Sequence, residues 1–434
     1  MNKGFTTFQA VVLGVFVVFL IGGVAALALF KGGGAAKLPT VVIWGTLPTQ
    51  PMNEIAQTDA VKGAGVTYQY VQKNVATFES DFVEALASGN SPDLVIFPHD
   101  LLFKQKNKLL LVPFSVYSER TFKDTFAQGG EVFLGQGGFY GFPYYIDPLV
   151  MYFNRSMLSS KGVARPPQFW DEFLTLAPKF NEKTDAGSIK RTIVALGETV
   201  NVANFKDVLS ALMLQAGTPI TSIDVDKKLT SFLSFRTSGG DSPVEASLRF
   251  YTEFSNPAKS TFSWNKSLLN SRDAFVAENL ATYFGYAGEL QGLRARNPNL
   301  NFDVAPLPQI RNGGSRLTFG HMYALVIPKN AKNAQAALTV AQVLTGEAAM
   351  TEYAKQFVMP PARRSLLASP ISDPYVSVFY NGAIMARAWV DPSRDETSSV
   401  FAEMIDAIIS GKDRLGDAID RADREFQAII KKYD

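Results

Sequence analysis

Hydrophobic residues in the first part of the globular region alternate between strand spacing and helix spacing. Apolar, β-branched runs over Thr40–Gly45, Val66–Gln72 and Pro92–Asp100 predict three strands. Apolar positions four residues apart over Phe78–Leu86 predict a helix between the second strand and the third. Strands that alternate with helices build a parallel sheet, and such sheets bind ligands beyond the carboxyl ends of their strands. We therefore expect an α/β fold with a site at those strand ends.

The same alternation continues through the rest of the chain. Leu149–Asn154 and Met322–Asn330 predict further buried strands, and Asp207–Gly217 predicts a buried helix that ends at a glycine. Ser271–Leu290 predicts a helix, then a strand, then a loop. Apolar positions three or four residues apart over Leu415–Tyr433 predict an amphipathic final helix.

The N-terminal pattern predicts a membrane segment. No charged residue lies in Gly4–Phe30, and Val11–Phe30 is long enough to span roughly 30 Å, the thickness of a bilayer core. Two interpretations compete: a signal peptide cleaved at the A-x-A site Ala26–Ala28, and an uncleaved anchor. The apolar run is longer than an ordinary signal peptide needs, and no cysteine offers a lipid anchor, so we favour the anchor. A flexible tether at Gly32–Gly34 would follow it, with the globular part outside the cell.

Composition and charge exclude several kinds of chemistry. A chain of 434 residues is too long for one simple core, so two domains are expected. The net charge of +2, with no block rich in lysine and arginine, argues against nucleic-acid binding. The lack of cysteine removes disulfides, thiol catalysis and cysteine-bound metals. The two histidines, His99 and His321, are too few for a histidine-rich zinc site and are more simply structural. No phosphate-binding loop and no GxSxG motif occurs, so we predict no cofactor, metal or catalytic residue.

Several segments, in order along the chain, resemble the extracellular solute-binding proteins of ABC importers, in the group that includes maltose-binding protein. Each segment alone is weakly specific, whereas all of them in the right order are specific. The resemblance covers the chain from about residue 40 to its end. The segments that carry it are VVIWG (Val41–Gly45), Tyr140–Leu158 followed by GVARPPQFWDEF (Gly162–Phe173), DAFVAENLATYFGY (Asp273–Tyr286), and Gly320–Thr345 with PPARRSLL (Pro360–Leu367).

The chain departs from the family pattern at a few positions. Glu278–Asn279 replaces the usual glycine–lysine turn, and Gly320–His321 replaces the usual pair of glycines. Gly288 stands where an aromatic residue usually follows the YFGY segment, so one aromatic platform for a sugar is missing.

The resemblance implies a two-lobed, periplasmic-binding-protein-like α/β fold of type II, with a hinge that the chain crosses more than once. Its implied lobes are 37–146 plus 312–360 and 147–311 plus 365–434. The uncharged N-terminal run adds a transmembrane helix, so that residues 1–36 are predicted to be the anchor and its tether.

The resemblance also implies that Tyr140–Leu158 crosses between the lobes, so that its first half lines the cleft. This stretch surrounds the single acid Asp147 with aromatic rings. Rings stack on the flat C–H faces of a sugar, and carboxylates accept hydrogen bonds from its hydroxyls. Tyr144, Tyr145 and Asp147 are therefore predicted to contact ligand, with hinge and core packing as the alternative.

Further ligand-contacting residues follow from their positions in the family pattern. For the tryptophans the alternative is core packing, and for Asp100 it is the cap of the next helix. The predicted contacts are Trp44, Asp100, Asn204, Tyr286, Glu289 and Trp389. Trp170 and Trp264 are assigned to packing.

The implied function is the capture of a solute, predicted to be an oligosaccharide, by a monomer that delivers it to separate ABC permease subunits without covalent chemistry. A glycosidase that uses Asp100 and Asp147 as a carboxylate pair is a rival interpretation. A peptide or polyamine ligand also remains open, because this fold serves several classes of solute. A sensor ectodomain is disfavoured, because almost no chain precedes the predicted anchor.

Overall fold

The computed structural model describes residues 38–224, 228–311, 313 and 316–434. The predicted anchor and tether, residues 1–36, lie outside these residues. None of the helices within the described ranges has the length and hydrophobicity that crossing a membrane requires. Residues Thr40–Asp434 form one compact unit.

Strands of very different length occur in this unit. Their bounds are β1 Val41–Gly45, β2 Tyr68–Gln72, β3 Leu94–Pro98, β4 Val112–Pro113, β5 Leu134–Gly135, β6 Gly138–Phe139, β7 Gly141–Asn154, β8 Glu182–Lys183, β9 Ile189–Arg191, β10 Thr221–Ile223, β11 Leu229–Ser231, β12 Thr282–Tyr286, β13 Phe302–Pro306, β14 Thr318–Val326 and β15 Ala386–Arg387.

Helices connect and cover these strands. Their bounds are α1 Thr49–Gln57, α2 Asp59–Lys62, α3 Phe78–Ala87, α4 Leu102–Gln105, α5 Glu119–Thr125, α6 Arg155–Ser160, α7 Glu172–Phe180, α8 Phe205–Gln215, α9 Pro243–Glu253, α10 Ser271–Val276, α11 Leu290–Arg296, α12 Ala334–Leu344, α13 Glu347–Gln356, α14 Arg364–Leu367, α15 Pro374–Met385, α16 Arg394–Ile409 and α17 Leu415–Tyr433.

The central sheet of the described unit has eight strands. Its order is β12-β7-β14-β3-β1-β2, with β13 also paired to β7 and β15 to β14. The predicted parallel arrangement of the first three strands is confirmed, since β1 lies parallel to both β2 and β3. β14 is antiparallel to β3, and β7 is antiparallel to β14.

β7 belongs to both halves of this sheet. Its residues Gly141–Pro148 pair with β14, whereas its residues Leu149–Asn154 lie between β12 and β13. One continuous strand therefore passes from the half built on β1–β3 into the half built on β12 and β13.

The second half of β7 is buried on both faces. Leu149, Met151 and Phe153 join one hydrophobic cluster, while Val150 and Tyr152 join another on the opposite face. This alternation is the strand period of two. Burial on both faces explains why the segment has a continuous run of apolar residues rather than an alternating pattern.

Most elements predicted from the sequence are confirmed, but two strands differ in their bounds. The final helix covers Leu415–Tyr433 as predicted. The strand predicted to begin at Leu149 begins at Gly141, because the pairs Asp147–His321 and Pro148–Gly320 keep it in the sheet where an Asp-Pro dipeptide indicates a break. The strand predicted over Met322–Asn330 covers Thr318–Val326 instead.

Candidate ligand-binding cavity

A cavity of about 420 Å³ lies at the carboxyl end of β3. Residues near the ends of the first strands form one part of its wall. The start of α8, strand β14 and the stretch from Trp389 to Ser398 also contribute. The volume falls within the range of about 300–1,000 Å³ that is typical of small-molecule sites.

The end of β3 supplies two buried polar side chains. His99 and Asp100 follow Pro98 in a short 3₁₀ turn, and they are only 2% and 5% exposed. Burial lowers the pKa of His99 to about 4, in spite of the nearby carboxylate of Asp100. His99 is therefore neutral at physiological pH, and its Nδ1 accepts a hydrogen bond from the backbone N–H of Met322 at 3.3 Å.

The start of α8 is fixed by Asn204, whose backbone adopts a left-handed conformation with φ of 57°. Asparagine tolerates this region better than most residues. Its amide nitrogen does not cap the helix but donates to the carbonyl of Phe284 at 3.2 Å and lies 3.4 Å from Glu289 Oε1. The turn presents Lys206 and Asp207 to the cavity.

Each cationic group in the wall lies beside a carboxylate. The Lys206 ammonium donates to Asp391 at 2.5 Å, and the Arg394 guanidinium lies 3.7 Å from Asp100. His321 Nε2 lies 3.6 Å from Asp207. These ion pairs compensate most of the charge in the wall. The lining has one carboxylate in excess when His321 is protonated, because Asp395 shares Arg394 with Asp100.

His321 is a residue of β14 that lies among carboxylates from other elements. Burial alone would lower its pKa, but Asp207, Asp100 and Asp147 raise the pKa above its ordinary value. Burial would likewise raise the pKa of Asp207, yet the neighbouring imidazole of His321 holds it below its usual range. His321 Nδ1 and Asp100 Oδ1 are buried and find no hydrogen-bond partner among the described residues. An unsatisfied pair of this kind costs free energy unless a ligand or a small movement satisfies it.

Aromatic rings form the apolar part of the wall. Trp389 is 4% exposed, packs against Phe401 and Phe426, and donates from Nε1 to Ser210 at 3.2 Å. Tyr323 also lines the cavity, and its ring stacks on Tyr145 with the centroids 4.3 Å apart.

A second group of polar residues lies behind this wall. The Tyr286 hydroxyl donates to Asp207 at 2.7 Å, and the Tyr286 ring lies 4.5 Å from His321. Glu289 accepts from the Tyr283 hydroxyl at 2.7 Å and from the Tyr286 backbone at 2.9 Å. These contacts fix the position of Asp207 and, through it, of His321.

Asp147 is the direct cross-strand neighbour of His321. Burial raises its pKa to about 7, against the backbone N–H of Gly288 and the charge of His321, which lower it. The Gly288 N–H donates to Asp147 at 2.9 Å. Gly288 is the position where the family pattern has an aromatic residue, and a Cβ there would lie 2.9 Å from Asp147.

Of the residues predicted from the sequence, Asp100, Asn204 and Trp389 line the cavity. Three others do not line it but are neighbours of residues that do: Tyr286, Glu289 and Asp147. Because Asp147 does not line the cavity, Asp100 and Asp147 do not form the opposed pair that the glycosidase interpretation requires.

Trp44, Tyr144 and Tyr145 do not line this cavity, and neither does the rest of the first half of Tyr140–Leu158. Tyr144 and Tyr145 are 0% and 3% exposed, because β7 is an inner strand and its rings fill the core. Trp44 is partly exposed beneath the Lys73 ammonium, 3.7 Å from its ring centroid. Trp170 and Trp264 are buried, as predicted.

The sequence argument missed Lys206, Asp207, His321 and Arg394. Lys206 and Asp207 could have been found, because they follow the predicted contact Asn204 closely and lie in the first turn of the helix that Asn204 precedes. His321 had a signal as well, since it replaces a glycine of the family pattern. Arg394 had none, because its contact with Asp100 joins residues far apart in sequence.

Comparisons with known proteins agree with a binding role. A protein family described as bacterial extracellular solute-binding protein matches residues 56–377. A stretch of 176 residues is 24% identical to a protein of Brucella abortus (strain 2308) that is named a binding protein, and it covers 39% of this chain and 40% of that one. A protein of Brucella suis biovar 1 (strain 1330) gives the same values. The match thus spans about two fifths of the length of these relatives.

Solved structures share the fold. A cyclo/maltodextrin-binding protein complexed with maltotetraose matches with a TM-score of 0.72 at 18% identity, covering 91% of this chain and 98% of that one. The GacH receptor of Streptomyces glaucescens GLA.O matches with a TM-score of 0.67 at 18% identity, covering 91% and 99%. The maltotriose binding protein of Thermus thermophilus matches with a TM-score of 0.64 at 17% identity, covering 90% and 99%. The fold is therefore the two-lobed α/β fold of periplasmic binding proteins.

Proposed function

Since the chain belongs to the family of bacterial extracellular solute-binding proteins, we propose that it captures a neutral, hydroxyl-rich solute, namely an oligosaccharide, in the cavity at the end of β3. The bound solute is then delivered to the permease of an ABC importer. The ATPase of such an importer is a separate chain, and the proposed role of this chain involves no catalysis.

The observation that carries this proposal is the compensated charge of the cavity wall. Lys206, Arg394 and His321 each lie beside a carboxylate. A polyamine would need several unpaired carboxylates, whereas the wall has one carboxylate in excess, and an amino acid would need an unpaired cation. A neutral ligand needs neither, and its hydroxyls can use the remaining lone pairs and N–H groups of the same ion pairs.

The ligands of the similar structures support the same class of solute. These proteins bind maltotetraose, acarbose and an acarbose homologue, and maltotriose. Because these proteins are under 20% identical to this chain, their ligands support the class of solute and not its identity.

We propose a type II arrangement with the lobe bounds given by the resemblance, 37–146 plus 312–360 and 147–311 plus 365–434. The course of β7 supports a hinge near Asp147 and Pro148, where its partners change from β14 to β12 and β13. Both proposed lobes contribute to the cavity wall, through Asp100 and Asp207 for example. A ligand that contacts both lobes would favour the closed state, which the permease would recognise.

For ligand contact we propose Asp100, Asn204 and Trp389, joined by Arg394 and His321. Tyr286, Glu289 and Asp147 would support them from behind. Of the other predicted residues, Trp44, Tyr144 and Tyr145 have no contact with the cavity and are proposed to stabilise the fold.

We propose that residues 1–36 anchor the protein in the cell membrane by a single span, with the monomeric globular part outside. The uncharged stretch Gly4–Phe30 supports this. The anchored protein should begin at or near Met1 and resist extraction by alkaline carbonate. A mature N-terminus at Leu29 would instead mean cleavage after Ala28, and the anchor would be withdrawn.

A thermal-shift screen of the purified full-length protein tests the proposed function. The panel contains maltotetraose and mannotriose as oligosaccharides, spermidine as a polyamine, and a neutral tetrapeptide. A ligand at 100 times its dissociation constant adds about 2.7 kcal/mol of stability. We expect this from an oligosaccharide and no stabilisation from spermidine.

Two variants and one assay sharpen the screen. Asp100→Asn should abolish the stabilisation by the oligosaccharide, whereas Lys123→Gln, on an exposed helix face, should leave it unchanged. Stabilisation by spermidine alone would refute the proposed ligand class. Sustained release of reducing ends from the oligosaccharide would refute the non-catalytic role.

A further inference from the structure

We infer that His321 is a specificity-determining residue of the cavity, which holds ligand only as an imidazolium and therefore makes solute capture depend on pH. The inference rests on the proposed function, because it concerns the same cavity. It goes beyond that function by naming the residue that makes binding depend on pH and that repels positively charged ligands.

His321 is held in place by its neighbours and also reaches the cavity. It lies on the inner strand β14, opposite Asp147 on β7. Its side chain is 21% exposed, and this exposed part reaches the cavity. The rings of Tyr286 and His99 lie 4.5 and 5.7 Å from its ring, so the imidazole has little freedom to move away.

Carboxylates approach His321 from three elements. Asp207 of α8 lies 3.6 Å from Nε2, and Asp100 from the turn after β3 lies 4.0 Å from Nδ1. Asp147 of β7 is its register partner. The negative charges of Asp207 and Asp100 stabilise the protonated ring, and Asp147, whose pKa burial raises to about 7, adds its charge as pH rises through that value.

The cations near His321 already have partners. Lys206 is held by Asp391 at 2.5 Å, and Arg394 lies between Asp100 at 3.7 Å and Asp395 at 3.6 Å. His99 is neutral, because burial lowers its pKa to about 4. Asp207 therefore depends on His321 for its positive partner, although the Tyr286 hydroxyl also donates to it.

The unsatisfied atoms next to His321 indicate how a ligand would bind. Among the described residues His321 Nδ1 and Asp100 Oδ1 find no hydrogen-bond partner, and 4.0 Å separates His321 Nδ1 from Asp100 Oδ2, which is too long for a hydrogen bond. Both atoms are buried, so a small movement of the wall would let one ligand hydroxyl accept from Nδ1–H and donate to Asp100. Only the doubly protonated ring has an N–H for this hydroxyl and another for Asp207 at the same time.

The direction of the pH effect follows from the two protonation states. The pKa of His321 is raised above its ordinary value by Asp207, Asp100 and Asp147, although burial opposes them. Below this pKa the cavity holds the imidazolium and can bind. Above it the ring is neutral, the wall gains one net negative charge and one donor is lost, so affinity falls as pH rises. The imidazolium would also repel a cationic ligand such as spermidine.

The chain is well suited to a direct test, because His99 and His321 are its only histidines. Full-length protein labelled with ¹⁵N-histidine gives two imidazole titrations by NMR, and His321→Gln assigns them. We expect His321 to titrate above 6.5 and His99 near 4. Asp147→Asn should lower the His321 midpoint, because it removes one of the stabilising charges. A His321 midpoint at or below 6.5 overturns the inference.

The binding arm uses maltotetraose and mannotriose, titrated calorimetrically between pH 5.5 and 9. If only the protonated form binds, affinity falls by about tenfold per pH unit above the His321 midpoint, since the apparent affinity scales with the competent fraction. His321→Gln should bind more weakly at low pH and lose this slope. Asp147→Asn should keep the slope and shift it to lower pH, in step with the NMR midpoint.

The outcomes separate the inference from the proposed function. Tight binding by the wild type with the same affinity across the whole range overturns the inference alone. A pH slope that persists in His321→Gln does so too, because another group would then be responsible. No binding of either oligosaccharide at any pH overturns the proposed function, and the inference with it.

Discussion

The Lys206 ammonium is a buried cation whose three protons all have acceptors. It donates to Asp391 at 2.5 Å, to the Thr397 hydroxyl at 2.7 Å and to the Arg394 carbonyl at 3.0 Å. These bonds tie the first turn of α8 to the loop that carries Asp391 and to the start of α16. The contacts therefore determine where two walls of the cavity meet.

Breaking this pair should be costly. Lys206→Met leaves the Asp391 carboxylate buried without its cation, and Asp391→Asn leaves Lys206 without its anion. We expect each to lower the free energy of unfolding by about 3–5 kcal/mol. The double variant should lose less than the sum, because it leaves no uncompensated charge. Urea denaturation of the four proteins measures this, and strictly additive losses would contradict the buried pair.

Replacing Trp389 and replacing Trp44 should have different effects on stability and on ligand affinity. Trp389 is 4% exposed and packs in the core next to the cavity, so Trp389→Ala should cost about 3–5 kcal/mol of stability and also weaken binding. Trp44 is partly exposed and does not line the cavity, so Trp44→Ala should cost less stability and leave affinity unchanged. Thermal melting beside calorimetric titration distinguishes the two. Weakened binding by Trp44→Ala with normal binding by Trp389→Ala would mean that the cavity is assigned wrongly.

At the scale of elements, the course of β7 places an acidic residue where the chain passes between the two halves of the sheet. Asp147 lies at the point where the partners of β7 change, and Gly288 approaches close enough to donate its N–H. Because burial raises the pKa of Asp147 from 3.8 to about 7, the folded protein binds this proton more tightly than the unfolded chain does.

The pH dependence of stability follows from that difference. Where the folded state holds more protons, stability falls as pH rises, so the contribution of Asp147 decreases between about pH 4 and pH 7. Asp147→Asn keeps the acceptor for Gly288 and removes the titration. The free energy of unfolding of Asp147→Asn should therefore increase relative to that of the wild type by on the order of 2–4 kcal/mol as pH rises through this window. Melting curves from pH 4 to 8 measure the gap, and a gap that does not widen with pH would refute the raised pKa.

The elements were more predictable from the sequence than their roles. Hydrophobic spacing alone predicted β1, β3 and α17, because β1 buries alternate side chains, β3 buries all of its side chains and α17 buries one face. The role of the aromatic stretch before Leu149 was less predictable, because aromatic residues suit a core strand and a sugar site equally well. Only the pairing of β7 inside the sheet decides between them, and pairing joins residues far apart in sequence.

The candidate site was predictable where a cavity-lining residue follows its own strand or starts its own helix. Asp100 and Asn204 are of this kind, and both line the cavity. His321 and Arg394 acquire their importance from partners in other elements, Asp207 and Asp100. No local pattern encodes such partners, so the charge balance of the cavity emerges only from the folded chain.

At the scale of the whole molecule, the cavity depends on segments from nearly the full length of the compact unit. Thr46 lies near its start, and Trp389 and Ser398 lie within its last fifty residues. The final helix α17 packs through Phe426 against Trp389, so even the C-terminal segment supports the wall. Ligand capture should therefore require the whole of Thr40–Asp434 and tolerate no C-terminal truncation through α17.

The N-terminal segment should be dispensable by the same argument. Among the described residues, those that line the cavity all lie within Thr40–Asp434, and that unit is compact by itself. A chain cut to residues 37–434 should therefore be soluble, monomeric and equal to the full-length protein in its affinity for an oligosaccharide. Loss of Val11–Phe30 removes the longest uncharged apolar run, so solubility without detergent should improve. Light scattering and calorimetric titration of both chains check this, with a chain ending before Leu415 as the control that should fail to bind. Aggregation or loss of binding by residues 37–434, with binding retained by the full chain, would give the N-terminal segment a part in the fold rather than in anchoring.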